Sequence, residues 1–110
     1  MLPGIVYAQD VPTPPRQPIR VSSGVMAGLL VKKVFPDVPA HARSKNGLCV
    51  FHVVIGKDGR VKEITALRCD EVLKASYMDA IRQWEYRPYL LNGEPVEVDT
   101  TITIEIQFGA

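Results

Sequence analysis

The sequence lacks any long apolar run and any excess of charge of one sign. No stretch of the 110 residues approaches the roughly 20 consecutive apolar residues that span a bilayer. The 13 basic and 12 acidic residues leave a formal net charge of +1, which gives no electrostatic footprint for nucleic acid or an anionic membrane. We therefore expect no nucleic-acid partner, and we expect any membrane anchor to lie outside this stretch.

Residues that carry chemistry are also scarce. His41 and His52 are the only histidines, and neither has a cysteine or acidic residue at metal-ligand spacing. Cys49 and His52 lie three residues apart on a predicted strand, so their side chains point to opposite faces and cannot form a nucleophile pair. The glycines of residues 56–59 join two strands, whereas a phosphate loop leads into a helix. We expect no catalytic residue, no metal and no cofactor.

A chain of this length fits one domain preceded by a tether. Residues 10–20 hold four prolines and no apolar periodicity, which predicts an extended, polyproline-like segment. Residues 1–8 are mostly apolar and end in a small residue. They are interpreted either as the remnant of a signal peptide or as the start of an unstructured tail. The predicted boundaries are a tether over residues 1–24 and a folded domain over residues 25–110.

Alternating apolar residues predict three long strands. Residues 48–55 are rich in β-branched side chains, Asp58-Gly59 indicates a two-residue type I′ turn, and residues 60–68 return as the second arm. Residues 96–108 alternate apolar and polar side chains throughout, which is typical of a half-buried antiparallel strand. Shorter strands are predicted at residues 29–34 and in a hairpin around Asn92-Gly93.

Two helices complete the prediction. Residues 39–44 favour a short helix that begins near a proline. A longer helix is predicted to begin after Asp70 as N-cap and to end before Pro88. Its apolar positions fall on one stripe, which consists of Leu73, Tyr77, Ala80, Ile81 and Trp84. The predicted fold is α+β: one antiparallel sheet of about three long strands plus short edge pieces, packed by one short and one long helix.

The two cysteines leave alternatives open. A two-residue Asp58-Gly59 loop puts Cys49 opposite Arg68, with the two thiols on opposite faces, and it also pairs Phe51 with Ala66 and Val53 with Ile64. A one-residue bulge would instead bring Cys49 directly opposite Cys69. A disulfide between Cys49 and Cys69 and two separate thiols both remain hypotheses.

Three stretches carry a family resemblance: VFPDVPAHAR (residues 34–43), GLCVFHVVIGKDGRV (47–61) and WEYRPYLLNGEPV (84–96). In this order and spacing they resemble the C-terminal domain of TonB-family energy transducers, over about residues 21–108. Two positions depart from the family pattern. Val38 stands where a tyrosine is usual, and Cys69-Asp70 replaces a common Ser-Gly before the long helix.

The resemblance implies a periplasmic, non-enzymatic domain, joined by a proline-rich spacer to an inner-membrane helix and its proton-driven motor complex. Its implied partner is the Ton box of an outer-membrane receptor, which adds as a strand beside the last strand of the domain. The alternative is a TonB-like adaptor or dimerisation module of another envelope protein, and a homodimer stays open. The expected partner-binding residues are Asp99, Thr100, Thr101, Ile102, Thr103, Ile104 and Glu105.

Overall fold

The computed structural model describes residues 17–43 and 47–108. It confirms an α+β fold, with helices packed on β-sheet. None of the helices within these residues is long and apolar enough to cross a membrane. In chain order the elements are β1 (Ile19–Arg20), α1 (Ser23–Ala27), β2 (Leu30–Lys32), a 3₁₀ helix (Ala40–Ala42), β3 (Leu48–Ile55), β4 (Val61–Arg68), α2 (Glu71–Ile81), β5 (Glu85–Tyr86), β6 (Tyr89–Leu91), β7 (Glu94–Val96) and β8 (Val98–Glu105).

The main sheet has the strand order β1-β8-β3-β4. Its three long strands are antiparallel, as the alternating sequence predicts, and β3 pairs with β8 along its whole length and with β4 from Val50 to Ile55. The short strand β1 instead runs parallel to β8. Two small antiparallel pairs, β2 with β5 and β6 with β7, lie outside this sheet. The central position of β3 explains its almost continuous apolar sequence.

The core lies between α2 and one face of the main sheet. The predicted apolar stripe of the helix, except for Ala80, belongs to one buried cluster with apolar residues of the sheet, because both periodicities turn their apolar side chains to this layer. Buried polar groups on the aromatic residues are satisfied: Tyr77 donates to the carbonyl oxygen of Gly47, and Trp84 Nε1 donates to that of Val34, each at 2.9 Å. Its members include Phe51, Val53, Leu73, Tyr77, Ile81, Trp84, Ile102 and Ile104.

Helix α2 begins as predicted and ends earlier than predicted. The Asp70 side chain accepts a hydrogen bond from the backbone N–H of Val72 at 3.1 Å, so Asp70 is the N-cap. The helix ends at Ile81 rather than just before Pro88. Trp84 therefore enters the core from beyond the helix, and the chain continues as strand β5, where the N–H of Tyr86 donates to the carbonyl of Gly59.

The two predicted hairpin turns differ. Asn92 and Gly93 both have positive φ, 53° and 84°, as a two-residue type I′ turn requires. The β3–β4 turn is not of this type, because Asp58 has no positive φ and only Gly59 does, at 85°. The ladder closes one residue earlier, with the N–H of Gly56 donating to Arg60 at 2.8 Å. The loop therefore has three residues, with Gly59 as the left-handed one.

The β3–β4 ladder keeps the predicted register only in its middle. Phe51 pairs with Ala66 and Val53 with Ile64, but Val50 rather than Cys49 pairs with Arg68. Of the two alternatives, the unbulged register with Cys49 opposite Arg68 is wrong and the register with a one-residue bulge is confirmed, because Leu67 is an extra residue that shifts the pairing at this end. Beyond this bulge Cys49 and Cys69 come together, with Cα atoms 4.3 Å apart, and form a disulfide.

The remaining predicted elements are shorter in the structure. The strand predicted at residues 29–34 is β2, and the last strand is Val98–Glu105 because Val96 belongs to β7. The helix predicted at residues 39–44 is a single 3₁₀ turn at Ala40–Ala42, and residue 44 lies outside the described residues.

Two elements reach into the predicted tether, namely the whole of β1 and the first two residues of α1. Ser22 caps α1 by accepting a hydrogen bond from the N–H of Val25 at 3.2 Å. Val21 and Met26 are buried in the core on either side of this cap. The folded unit therefore reaches back to residue 19. The predicted signal remnant at residues 1–8 lies outside the described residues, as does most of the proline-rich segment.

Candidate peptide-binding edge

Strand β8 is paired along one side and mostly open along the other. Its whole length pairs with β3, from Val98 opposite Ile55 to Glu105 opposite Leu48. On its other side, β1 pairs only with the first two residues, Val98 and Asp99. Within the described part of the chain, no strand pairs with β8 on this side beyond Asp99. We call the side of β8 that faces β1 the outer edge.

The hydrogen bonds from β1 show which residues present their backbone groups at the outer edge. The N–H of Ile19 donates to Glu97 O at 2.9 Å, and the N–H of Val21 donates to Asp99 O at 3.0 Å. Because successive residues of a strand direct their backbone groups to alternate sides, the outer edge also receives those of Thr101, Thr103 and Glu105. No strand or loop among the described residues takes up these three positions.

The side chains of β8 follow the same alternation. Val98, Thr100, Ile102 and Ile104 are buried against the core, while Thr103 and Glu105 are exposed on the opposite face. A strand added at the outer edge would therefore meet apolar core on one face and a polar surface on the other.

A groove runs between α1 and the open part of β8. Its volume is about 320 Å³. It is lined by residues 100–103 of β8, by Ser23 and Ala27 of α1, and by Lys33 and Trp84. Lys33 Nζ is 5.7 Å from the Trp84 ring centroid and 5.3 Å from that of Phe35, so aromatic faces hold a positive charge at this point. Phe35 itself is 73% exposed.

The covered end of the edge is fixed by a polar cluster around Asp99. His52 Nε2 lies 2.6 Å from Asp99 Oδ1, so this nitrogen donates a hydrogen bond to the carboxylate. Arg20 Nη1 lies 3.3 Å from the same oxygen. The His52 contact joins β8 to β3, while the Arg20 contact joins β8 to β1. Since the Arg20 side chain is 73% exposed, its ion pair contributes at most about 1 kcal/mol.

Comparison with known proteins identifies the family. The sequence model described as Gram-negative bacterial TonB protein C-terminal matches residues 31–109, which is more than half of the chain. The chain belongs to the TonB C-terminal domain family. The solution NMR structure of the Pseudomonas aeruginosa TonB C-terminal domain has the same fold, with a TM-score of 0.57 and 20% identity, and the match covers 69% of this chain and 81% of that one. No curated protein sequence matches significantly.

Membership of the TonB family gives the general role of the domain. The family consists of periplasmic domains that transduce energy through protein–protein contacts and carry no catalytic site. Within the described residues, no group of three or more His, Cys, Asp or Glu side chains could hold a metal ion. Both cysteines are in the disulfide, and His52 is bound to Asp99.

In this TonB-family domain, the seven partner-binding residues predicted from the sequence fall into three groups. Asp99 is paired with Arg20 of β1. Thr101, Thr103 and Glu105 lie on the open part of the outer edge. The other three are turned towards β3 by their backbone groups and towards the core by their side chains; they are Thr100, Ile102 and Ile104.

Neither β1 nor α1, which border the edge and the groove, is predicted from the sequence. The available signal was Ser22, a favoured N-cap type, followed by the apolar Val25 and Met26. This helix has five residues, which is too short for a helical period to appear in the sequence.

Proposed function

We propose that this domain binds the Ton box, a short extended segment of an outer-membrane receptor, by adding it as a strand to the outer edge of β8. In this proposal the domain is tethered to the inner membrane and passes force from the proton-driven motor complex to the receptor, which supports energised nutrient uptake. The observation that carries the proposal is the open backbone edge at Thr101, Thr103 and Glu105.

Backbone geometry supports strand addition in particular. An unpaired strand edge presents donors and acceptors that an extended peptide satisfies one by one, so affinity comes from the ladder. Specificity then comes from the alternate side chains of the peptide. One set would face the groove beside α1, where Lys33 favours an acidic or carbonyl group, and the other set would face Thr103 and Glu105.

The test uses a proline at an outward N–H. Proline has no N–H and blocks pairing on the side that the N–H would face. At Thr103 this side is the outer edge, so Thr103→Pro leaves the ladder with β3 in place. The matched control is Thr103→Ala, which keeps the N–H. Binding is measured by calorimetry with synthetic Ton-box peptides from receptors of the source genome.

We expect Thr103→Pro to weaken binding at least tenfold and Thr103→Ala to change it less than threefold, since only the proline removes backbone pairing. Circular dichroism and the fluorescence of Trp84 report whether each variant is folded. Equal binding by two folded variants would show that strand addition at this edge is wrong.

A further inference from the structure

Strand β1 occupies the same edge that the proposed partner uses. The N–H groups of Ile19 and of Val21, the residue that follows β1, donate to the carbonyl groups of Glu97 and Asp99, which belong to the same outward set as Thr101, Thr103 and Glu105. Neighbouring strands lie about 4.8 Å apart. A partner strand that paired with the whole outer edge, from Glu97 to Glu105, would therefore have to occupy the position of Ile19 and Arg20.

β1 is attached more weakly than the segment that follows it in the chain, residues 21–26. β1 has only two residues, Ile19 packs against the core but is only partly buried, Arg20 is exposed, and the Arg20–Asp99 ion pair lies at the surface. In contrast, Val21 is 7% exposed and Met26 is 1% exposed, so their side chains anchor the chain in the core. Ser22, between them, caps α1. Ile19–Arg20 can thus leave the sheet without unfolding the core, and the part that leaves ends before the buried side chain of Val21.

We propose that Ile19–Arg20 is an internal competitor for the receptor segment. This inference rests on the proposed function. While β1 is docked, the partner pairs only with Thr101, Thr103 and Glu105; when β1 leaves, the ladder extends to Glu97 and Asp99. The affinity for a peptide long enough to cover the whole edge is lowered by the fraction of molecules in which β1 is docked. Short peptides that stop at Thr101 escape the competition.

The decisive variants are at Ile19. Ile19→Pro removes the N–H that donates to Glu97 O and places the proline ring against that oxygen, whereas Ile19→Ala keeps the N–H. We expect Ile19→Pro to bind long Ton-box peptides about tenfold more tightly than the unmodified protein, because a strand of only two residues loses one of its few backbone bonds and no longer fits against β8. Ile19→Ala should show a smaller gain. For peptides that reach only from Thr101 to Glu105, all three proteins should bind alike.

Amide hydrogen exchange supplies a second measurement. On addition of a long peptide to the unmodified protein, the amides of Ile19 and Val21 should lose protection while those of Thr101 and Thr103 gain it. If the amides of Thr101 and Thr103 gain protection while those of Ile19 and Val21 lose none, β1 is not a competitor, although the proposed function still holds. Equal affinity of Ile19→Pro and the unmodified protein for long peptides would lead to the same conclusion. If no protein binds any peptide, the proposed function fails and the competitor fails with it.

Discussion

Two glycines of similar backbone conformation offer a controlled test of how the β3–β4 loop is held. Gly59 has φ of 85° and Gly93 has φ of 84°. A β-carbon at Gly93 would meet no atom within 4 Å, whereas one at Gly59 would lie 1.8 Å from the carbonyl oxygen of Tyr86. Gly59→Ala and Gly93→Ala thus share the backbone strain, and only the first adds a collision.

The two losses of stability can be estimated separately. An alanine at positive φ costs about 1–2 kcal/mol relative to glycine. At Gly59 the collision also forces β5 away, which breaks the 2.9 Å bond from the N–H of Tyr86 to Gly59 O. That bond contributes about 1 kcal/mol, and part of the burial of Tyr86 is lost with it. We therefore expect the free energy of unfolding to fall by about 1–2 kcal/mol in Gly93→Ala and by about 3–5 kcal/mol in Gly59→Ala.

Urea unfolding followed by the fluorescence of Trp84, the only tryptophan, measures both free energies of unfolding on the same probe. Trp84 lies in the core near Tyr86, so it reports the region that moves. If the free energies of unfolding of the two variants differ by less than about 0.5 kcal/mol, the contact between Gly59 and β5 does not hold the loop.

Three further predictions concern single groups. Reduction of the Cys49–Cys69 disulfide, which spans a sequence separation of 20, should lower the stability by about 3 kcal/mol, and an unchanged Tm with reductant would contradict this. Trp84→Ala should cost about 3–5 kcal/mol in urea unfolding, and a loss below about 1 kcal/mol would place Trp84 outside the core. Burial raises the pKa of Tyr86 to about 12. Since an unfolded tyrosine ionises near pH 10, stability should fall as the pH rises from 10 through 12, and Tyr86→Phe should reduce this fall.

The long elements could be predicted from the sequence because their signals are local. The alternation of β8 and the N-cap at Asp70 each depend on neighbouring residues, and the structure shows both. The end of α2 was less predictable. Trp84 continues the helical spacing of the apolar stripe, but the chain leaves the helix at Ile81 because Tyr86 pairs with Gly59, a contact that no local pattern reveals.

The border of the candidate site could not be predicted for the same reason. Ile19 and Arg20 acquire their strand conformation only by pairing with Val98 and Asp99, some 79 residues away, and a proline precedes them. The sequence leaves a one-residue bulge near the cysteines open, but it does not identify Leu67 as the extra residue. The apolar pairs in the middle of the β3–β4 ladder fit one register, and they carry no information about an irregularity at its end.

The disulfide also limits how far the domain can extend when its two ends are pulled apart. Cys49 and Cys69 enclose the greater part of β3 and all of β4, so a pull on the two ends of the chain bypasses this hairpin through the sulfur atoms. Twenty residues fully extended would span roughly 70 Å. An oxidised domain stretched between two pulling points should therefore be shorter than a reduced one by about this length, and the β3–β4 hairpin should stay closed into a loop even after every other strand has separated.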